Sequence, residues 1–240
     1  MKAKFRPGIA ILLAASLLGA TNVHADDLLP PPWRGQPLTT LTEWEFASAA
    51  NPTPPDGTIP SVIGDGGGGG PLASIFGLVQ WDPFDGDGAW IGTGTPTTLP
   101  GQIILDLPNW IDTEPLKLIQ IQMTVQRYIR QNTDGTTELI TPHVASIDAF
   151  DPTGPTSSML LQVLPELIVD PLNGTFLRTE LWKIQPNPDY ERIVLNVPVD
   201  TLIDQLVIDT ISRVPEPAAV IQVAIVVMGI AAATCLRRRV

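Results

Sequence analysis

The sequence predicts an all-β protein: a single antiparallel β-sandwich, jelly-roll-like, between an N-terminal signal peptide and a C-terminal transmembrane helix. Three observations predict this fold. Apolar and polar residues alternate with a period of two along several segments. Proline (25 residues) and glycine (20 residues) recur between those segments and supply turns. Between the two apolar ends, no long stretch shows the 3.6-residue period of an amphipathic helix.

The clearest strand lies within residues 116–130, which read LKLIQIQMTVQRYIR. Its apolar positions fall on one face of a strand: Ile119, Ile121, Met123, Val125 and Ile129. Its polar positions fall on the other face: Gln120, Gln122, Thr124 and Gln126. Arg127 interrupts the apolar face near the end of the strand. We therefore expect one buried face and one face in contact with water.

Further alternation and turn residues predict about eight strands in all. The other strands are expected at residues 40–46, 103–107, 138–150, 166–172, 176–184, 192–199 and 202–211. Asp134-Gly135 and Asn173-Gly174 are strong hairpin signals. Asn173 also begins a glycosylation sequon by pattern, although a hairpin turn is the simpler interpretation. Residues 51–70, rich in proline and glycine, are predicted to be a loop.

The N-terminus has the pattern of a secretory signal peptide over residues 1–25. Three basic residues precede an apolar run at residues 9–20, and Val23-His24-Ala25 offers small residues at a cleavage site. The alternative is an N-terminal membrane helix. The run is short for a bilayer core of about 30 Å, which favours the signal peptide.

The C-terminus predicts a transmembrane helix at residues 218–236. These 19 residues contain only two polar side chains, and a helix of that length measures about 28 Å, close to the thickness of the bilayer core. Three basic residues follow at once and predict a cytoplasmic membrane stop: Arg237, Arg238 and Arg239. The predicted domain at residues 26–213 then lies outside the cytoplasm. The span is either a permanent anchor or part of a signal that is later removed.

Just before the span stand Val214, Pro215, Glu216 and Pro217, and residues 214–240 as a whole resemble the PEP-CTERM sorting signal of Gram-negative bacteria. The resemblance implies that a membrane enzyme, exosortase, recognises and processes the tail. Carriers of this signal are often linked to exopolysaccharide, which makes exopolysaccharide a candidate partner. The body also resembles a group of PEP-CTERM proteins from planctomycete-like bacteria, through PPWRGQPLTTLTEWEF, LDLPNW with KLIQIQMTV, and LIDQLVIDT. That group implies export and adds no catalytic residue.

Charge and rare residues exclude several functions. Between Pro7 and Pro215 the chain has 8 basic and 24 acidic residues, a net charge of −16, which repels a phosphate backbone and excludes nucleic acid as a partner. The single cysteine, Cys235, lies in the tail, so the body has no disulfide or thiol nucleophile. The body has one histidine, His143, for which a structural role is favoured over that of a catalytic base.

An acidic loop is the strongest metal candidate. Asp82, Asp85 and Asp87 lie among glycines and could offer oxygen ligands to Ca²⁺. The spacing does not fit an EF-hand, because no glutamate stands eleven residues after any of the three. An ordinary acidic turn is the alternative, since Asp-Gly pairs form turns. Apart from this calcium ion, no cofactor is expected.

Two tryptophans, Trp81 and Trp90, flank that loop and are the predicted surface aromatics that could stack on sugar rings. The alternative is that they close one end of the sandwich. Trp44 and Trp182 lie within predicted strands and are expected in the core.

These observations predict an exported, non-enzymatic protein of the cell surface or extracellular matrix. It is expected to be anchored in the membrane by its C-terminal helix before processing, and to have a structural or adhesive role. One alternative is a carbohydrate-binding module, assisted by calcium or not. A second alternative is a polysaccharide hydrolase that uses two carboxylates whose separation in space the sequence does not reveal.

Overall fold

The computed structural model describes residues 29–59, 70–83, 88–95, 97–108, 114–132, 134–150, 154–172 and 174–212. The predicted signal peptide and the sorting tail, with its membrane helix and arginines, lie outside these residues, as do Asp85, Asp87 and most of the glycine-rich loop. Strands account for all the regular structure of the described chain, which has no α-helix. No helix that could span a membrane occurs within the described ranges.

Fifteen strands occur in the described chain. They are β1 (Thr39–Trp44), β2 (Gly57–Ile59), β3 (Leu72–Phe76), β4 (Val79–Asp82), β5 (Ala89–Gly92), β6 (Gly101–Pro108), β7 (Lys117–Gln126), β8 (Tyr128–Gln131), β9 (Thr137–Ile140), β10 (His143–Phe150), β11 (Ser157–Val163), β12 (Leu167–Asp170), β13 (Thr175–Gln185), β14 (Tyr190–Val197) and β15 (Leu202–Ile211). The predicted all-β class is confirmed. The strands that the sequence did not reveal are short or lie at sheet edges.

All paired strands are antiparallel and form three sheets. The larger sheet has nine strands, six of which follow the order β11-β13-β7-β15-β1-β2. Of the other three strands, β12 pairs with β13, β5 pairs with β15, and β4 pairs with β5. The smaller sheet has four strands in the order β10-β14-β6-β3. The third sheet is the β8–β9 hairpin. Strand β7 lies in the middle of the larger sheet, as its long apolar face predicts.

Side chains from both sheets meet in one hydrophobic core. Strands β6 and β14 alternate strictly between buried and half-buried residues, so every second side chain points into that core. The core residues of these two strands and of β7 are Ile103, Leu105, Ile193, Leu195, Ile119, Ile121, Met123 and Val125. The predicted apolar face of residues 116–130 is therefore confirmed for Ile119, Ile121, Met123 and Val125. The prediction is wrong for Ile129, which lies beyond β7 on the separate strand β8 and is 63% exposed.

The opposite face of β7 corrects the sequence-based expectation of a wet face. Gln120, Gln122 and Thr124 are only 6%, 1% and 1% exposed. The segment around Leu29 lies against them: its backbone N–H donates to Gln122 Oε1 (3.2 Å), and Gln120 Nε2 donates to its carbonyl oxygen (2.7 Å). Amide side chains can be buried at small cost when an overlying backbone supplies their hydrogen bonds. Strand β7 is thus covered on both faces.

Both predicted hairpin signals fall at hairpins. Gly135 (φ 82°) lies between β8 and β9, and Asp134 Oδ1 accepts hydrogen bonds from Thr136 N and Oγ1. Gly174 (φ 68°) connects β12 to β13, which pair with each other. Positive φ is the conformation that glycine adopts most readily. The predicted return strand at residues 138–150 is in fact two strands, β9 and β10, separated by Thr141 and Pro142.

One element contradicts the predicted loop at residues 51–70. Gly57–Ile59 forms the edge strand β2, which pairs with β1. The Asp56 N–H donates to the Glu43 carbonyl (2.9 Å) and begins this pairing. A strand of three residues is too short to show a period of two, which is why the sequence pattern missed it.

Candidate functional site

The predicted calcium loop connects β4 to β5. Asp82 is the last residue of β4 and pairs with Ala89, the first residue of β5. Asp82 is half-buried, and Asp85 and Asp87 fall in the part of the loop that the structure does not describe. Within the described ranges, His, Cys, Asp and Glu form no group of three or more able to hold a metal. The calcium site stays a prediction.

The two tryptophans beside this loop differ from the expectation. Trp90 is 5% exposed, belongs to the core and meets the ring of Phe46 edge-on, at 6.4 Å between centroids. The prediction that Trp90 lies at the surface is therefore wrong. The reason is its register: it pairs with Ile203 of β15, a core residue, and directly opposed residues share one face of a sheet.

Trp81 lies directly opposite Trp90 across β4 and β5, so its ring faces the same side. Trp81 is half-buried, packs against the core, and its Nε1 donates to the carbonyl oxygen of Phe46 (2.8 Å). This contact holds one edge of the indole against the protein. Sugar stacking on Trp81 stays a prediction. Trp44 and Trp182, predicted in the core, are buried there.

His143 begins β10 at the edge of an open cleft of about 360 Å³. Its Nδ1 lies 3.2 Å from the carbonyl oxygen of Thr141. The same cleft is lined by Arg130 and Glu138, whose charged groups are 3.6 Å apart. His143 thus has a backbone partner of its own, consistent with the structural role favoured from the sequence.

A second charged cluster lies on the larger sheet where β7 ends. The Glu166 carboxylate forms ion pairs with Arg127 (2.9 Å) and Arg178 (3.6 Å). Arg178 also forms an ion pair with Glu180 (2.8 Å). Arg127 lies 3.5 Å from the centre of the Phe176 ring, a cation–π contact. Each of these charges is matched by an opposite charge. The cluster therefore explains the Arg127 interruption seen in the sequence as a structural network.

The outward side of the smaller sheet carries the most varied set of exposed side chains. We call it the outer face, and its residues alternate with the core residues of the same four strands. From one end of the strands to the other its rows are Phe150, Tyr190 and Pro108; then Asp148, Arg192, Asp106 and Leu72; then Ser146, Val194, Ile104 and Ser74; then His143, Asn196, Gln102 and Phe76.

At one corner of the outer face an aromatic pair borders a groove. Phe150 and Tyr190 oppose each other across β10 and β14, with ring centroids 5.6 Å apart and planes inclined by 53°. Phe150 is 54% exposed. The groove beside them has a volume of about 530 Å³ and is also lined by Thr156 and Asp189. We call this feature the aromatic groove.

Charged side chains lie next to Tyr190 on the outer face. The Arg192 guanidinium contacts both carboxylate oxygens of Asp106, with Nε at 2.8 Å and Nη2 at 3.3 Å. Burial, and then the interaction of the hydroxyl with Asp106, raise the pKa of Tyr190. The interaction with Asp106 raises the pKa of Arg192 as well, so this guanidinium stays charged. The hydroxyl end of Tyr190 therefore lies near charged side chains.

Sequence analysis did not find the aromatic groove. Phe150 and Tyr190 are 40 positions apart, and neither stands in a motif. A signal is nevertheless present: each lies at the end of an alternating segment, on the polar side of that segment. Only the pairing of β10 with β14 shows that these two ends coincide.

A separate surface is apolar. Strand β11 forms one edge of the larger sheet, and each of its seven residues is exposed. No charged residue occurs between Asp151 and Glu166 in a chain whose net charge is −11. Four of its large apolar side chains are 39–53% exposed: Met159, Leu160, Leu161 and Val163. A register shift between Leu160 and Gln162 bends this edge.

Comparisons with known proteins found no matching family model, no matching curated protein and no matching solved structure.

Proposed function

We propose that this chain is an exported, non-enzymatic protein of the cell surface or extracellular matrix, with a structural or adhesive role. Its body is a jelly-roll-like β-sandwich, a description supported by the single core that the two antiparallel sheets share. The signal peptide at residues 1–25 directs export. The tail at residues 214–240 holds the chain in the membrane until exosortase processes it near Val214–Pro217.

The outer face of the smaller sheet is the observation that carries the adhesive role. It presents aromatic, charged, amide and hydroxyl side chains on one open surface of four strands. Such a surface admits an extended partner from the side, whereas a substrate that is enclosed for reaction needs a deeper site. A binding role therefore fits this geometry better than a hydrolase does.

The alternatives depend on particular groups. A calcium-assisted site at Asp82, Asp85 and Asp87 needs the two residues of the loop that the structure does not describe. A polysaccharide hydrolase needs two carboxylates about 5–10 Å apart around a scissile bond. Exopolysaccharide remains the proposed partner of an adhesive surface.

Export and sorting can be tested with a full-length chain carrying an epitope tag inserted after Gly135, at the exposed tip of the β8–β9 hairpin. We expect the tagged body in the surface or matrix fraction of the native host, shortened at its C-terminus. In the control, Pro215, Glu216 and Pro217 are each replaced by alanine, and the chain is expected to stay full-length in the membrane fraction. Retention of the wild-type chain in the cytoplasm would overturn the proposal. An intact tail on the mature wild-type protein would overturn exosortase processing alone.

A further inference from the structure

The structure assigns a carbohydrate site to the aromatic groove: we infer that the groove binds a neutral pyranose unit of a polysaccharide against Phe150 and Tyr190. The inference rests on the proposed adhesive function and names its ligand class. It places that ligand away from Trp81 and Trp90, which the sequence had suggested.

The rings supply the apolar part of such a site. One face of a pyranose presents several C–H groups and packs against an aromatic surface, while its hydroxyls point outward. Phe150 is 54% exposed, so a ligand can reach its ring without any rearrangement of the core. Tyr190 is half-buried and its ring contacts that of Phe150, so it loses little conformational freedom when a ligand binds. The 53° between the rings makes an angled wall rather than a flat platform.

Polar groups around the rings can meet sugar hydroxyls. Asp189 is one of the residues that line the groove, and its carboxylate has no hydrogen bond or ion pair to the described residues. Thr156 also lines the groove, and its Oγ1 donates to the Ala149 carbonyl (2.6 Å), so the lone pairs of Oγ1 remain to accept. Asp148 stands beside Phe150 on β10, also without a partner among the described residues. Free carboxylates are strong acceptors for hydroxyl donors.

Charge selects a neutral ligand. The body between Pro7 and Pro215 has a net charge of −16, and such a field repels polyanions before contact. The guanidinium nearest the groove, that of Arg192, is already paired with Asp106. An acidic sugar would therefore meet carboxylates that have no partner among the described residues, with no free cation from Arg192 to balance its charge.

The size of the groove suits one or two sugar units. Its volume of about 530 Å³ lies within the range of about 300–1,000 Å³ typical of small-molecule sites. The groove lies at a corner of the outer face, where Phe150 is exposed. We take a unit within a polysaccharide chain as its ligand.

The test uses the purified full-length chain in detergent and affinity gel electrophoresis. The gels contain laminarin, dextran, galactomannan or hydroxyethyl cellulose as neutral probes, and alginate as the polyanionic probe. We expect retardation by at least one neutral polysaccharide and none by alginate. For an oligosaccharide of the retarding polymer, saturation-transfer NMR should show the strongest transfer to C–H protons on one face of the ring.

Variants locate the site. Phe150→Ala and Tyr190→Ala should each weaken binding at least tenfold, and Tyr190→Phe, which keeps the ring, should weaken it less than Tyr190→Ala. The matched control is Tyr128→Ala, since Tyr128 is an aromatic residue that is 38% exposed on β8, outside the outer face, and should not affect binding. Circular dichroism and thermal melts confirm that each variant is folded.

The inference is overturned if no neutral probe retards the wild-type chain, if alginate binds as well as the neutral probes do, or if Tyr128→Ala weakens binding as much as Phe150→Ala. These outcomes do not bear on the proposed location of the protein at the cell surface or in the matrix, because that location is measured separately by fractionation of cells. A chain that binds sugar but stays in the cytoplasm would overturn the proposed function and not the site.

Discussion

Lys117 and Glu191 form an ion pair between the two sheets, and their side chains are 1% and 0% exposed. Lys117 begins β7 in the larger sheet, and Glu191 lies in β14 of the smaller one. Burial raises the pKa of Glu191, while the charge of Lys117 opposes that shift. The pair joins the two sheets inside the core, and the loss of either partner would leave a buried charge without compensation.

Removal of one partner should destabilise the chain strongly. We expect Lys117→Met to lower the free energy of unfolding by about 3–5 kcal/mol, because it leaves the Glu191 carboxylate buried without its cation. Urea denaturation followed by tryptophan fluorescence measures this. The double variant Lys117→Met/Glu191→Leu is the control and should recover most of the loss. Equal instability of the single and double variants would contradict the ion-pair explanation.

The raised pKa of Glu191 predicts that the free energy of unfolding depends on pH. Since the folded-state pKa is raised, the folded chain holds a proton more tightly than the unfolded chain does. The contribution of Glu191 to stability is therefore fully present below the ordinary glutamate pKa of about 4.3 and is lost as pH rises through the raised value. The difference in unfolding free energy between wild type and Glu191→Gln, measured from pH 4 to pH 8, should follow this trend. If this difference is constant from pH 4 to pH 8, ionisation of Glu191 does not contribute to stability as predicted.

We expect Arg34 to hold the segment before β1 against the larger sheet through its contact with Asp209 on β15. Its guanidinium contacts both oxygens of the buried Asp209, with Nε at 2.7 Å and Nη2 at 2.6 Å. Arg34→Ala should lower the unfolding free energy by about 3 kcal/mol, the lower end of the range for a broken buried pair, because Arg34 keeps some contact with water. Hydrogen exchange should also quicken in residues 29–37. The unfolding free energy of Arg34→Lys should lie between those of the wild type and Arg34→Ala, because the lysine ammonium cannot contact both carboxylate oxygens of Asp209 as the guanidinium does. Unchanged exchange in Arg34→Ala would argue that the segment is held by other contacts.

The two loop tryptophans should differ in their effect on stability. Trp90→Ala removes a core side chain and should cost about 3–5 kcal/mol. Trp81→Phe removes chiefly the hydrogen bond to the Phe46 carbonyl and should cost about 1 kcal/mol. Chemical denaturation of the two variants measures both values. Equal losses would mean that Trp81 is as much a part of the core as Trp90.

Strand β11 should promote self-association at high protein concentration. An exposed edge strand offers unpaired backbone groups, and here it also carries apolar side chains without charge. We expect Leu161→Lys to lower light scattering in concentrated solution without a loss of thermal stability, because Leu161 is 44% exposed. Leu99→Lys, a change at an 86% exposed leucine away from this edge, is the control and should have a smaller effect. Equal effects of the two substitutions would assign the scattering to general surface hydrophobicity.

Local patterns predicted much of the fold. The alternation at residues 116–130 identified the inward residues of β7, and Asp134-Gly135 and Asn173-Gly174 marked two hairpins. Strands of three to five residues such as β2 and β3 were not found, since so few positions cannot establish a period. The candidate site was largely missed: the acidic loop and its tryptophans stood out in composition, whereas Phe150 and Tyr190 stood in no motif.

The sequence by itself determined the all-β class, the inward face of the long strands and the positions of the hairpin turns, because these depend on neighbours within a few residues. Only the tertiary structure decided that the glutamines of β7 are covered, that Trp90 points into the core, and that Phe150 meets Tyr190. The physical reason is that pairing between distant strands sets which side chains share a face. The alternation within one strand shows that it has two faces, but it does not say what lies against each of them.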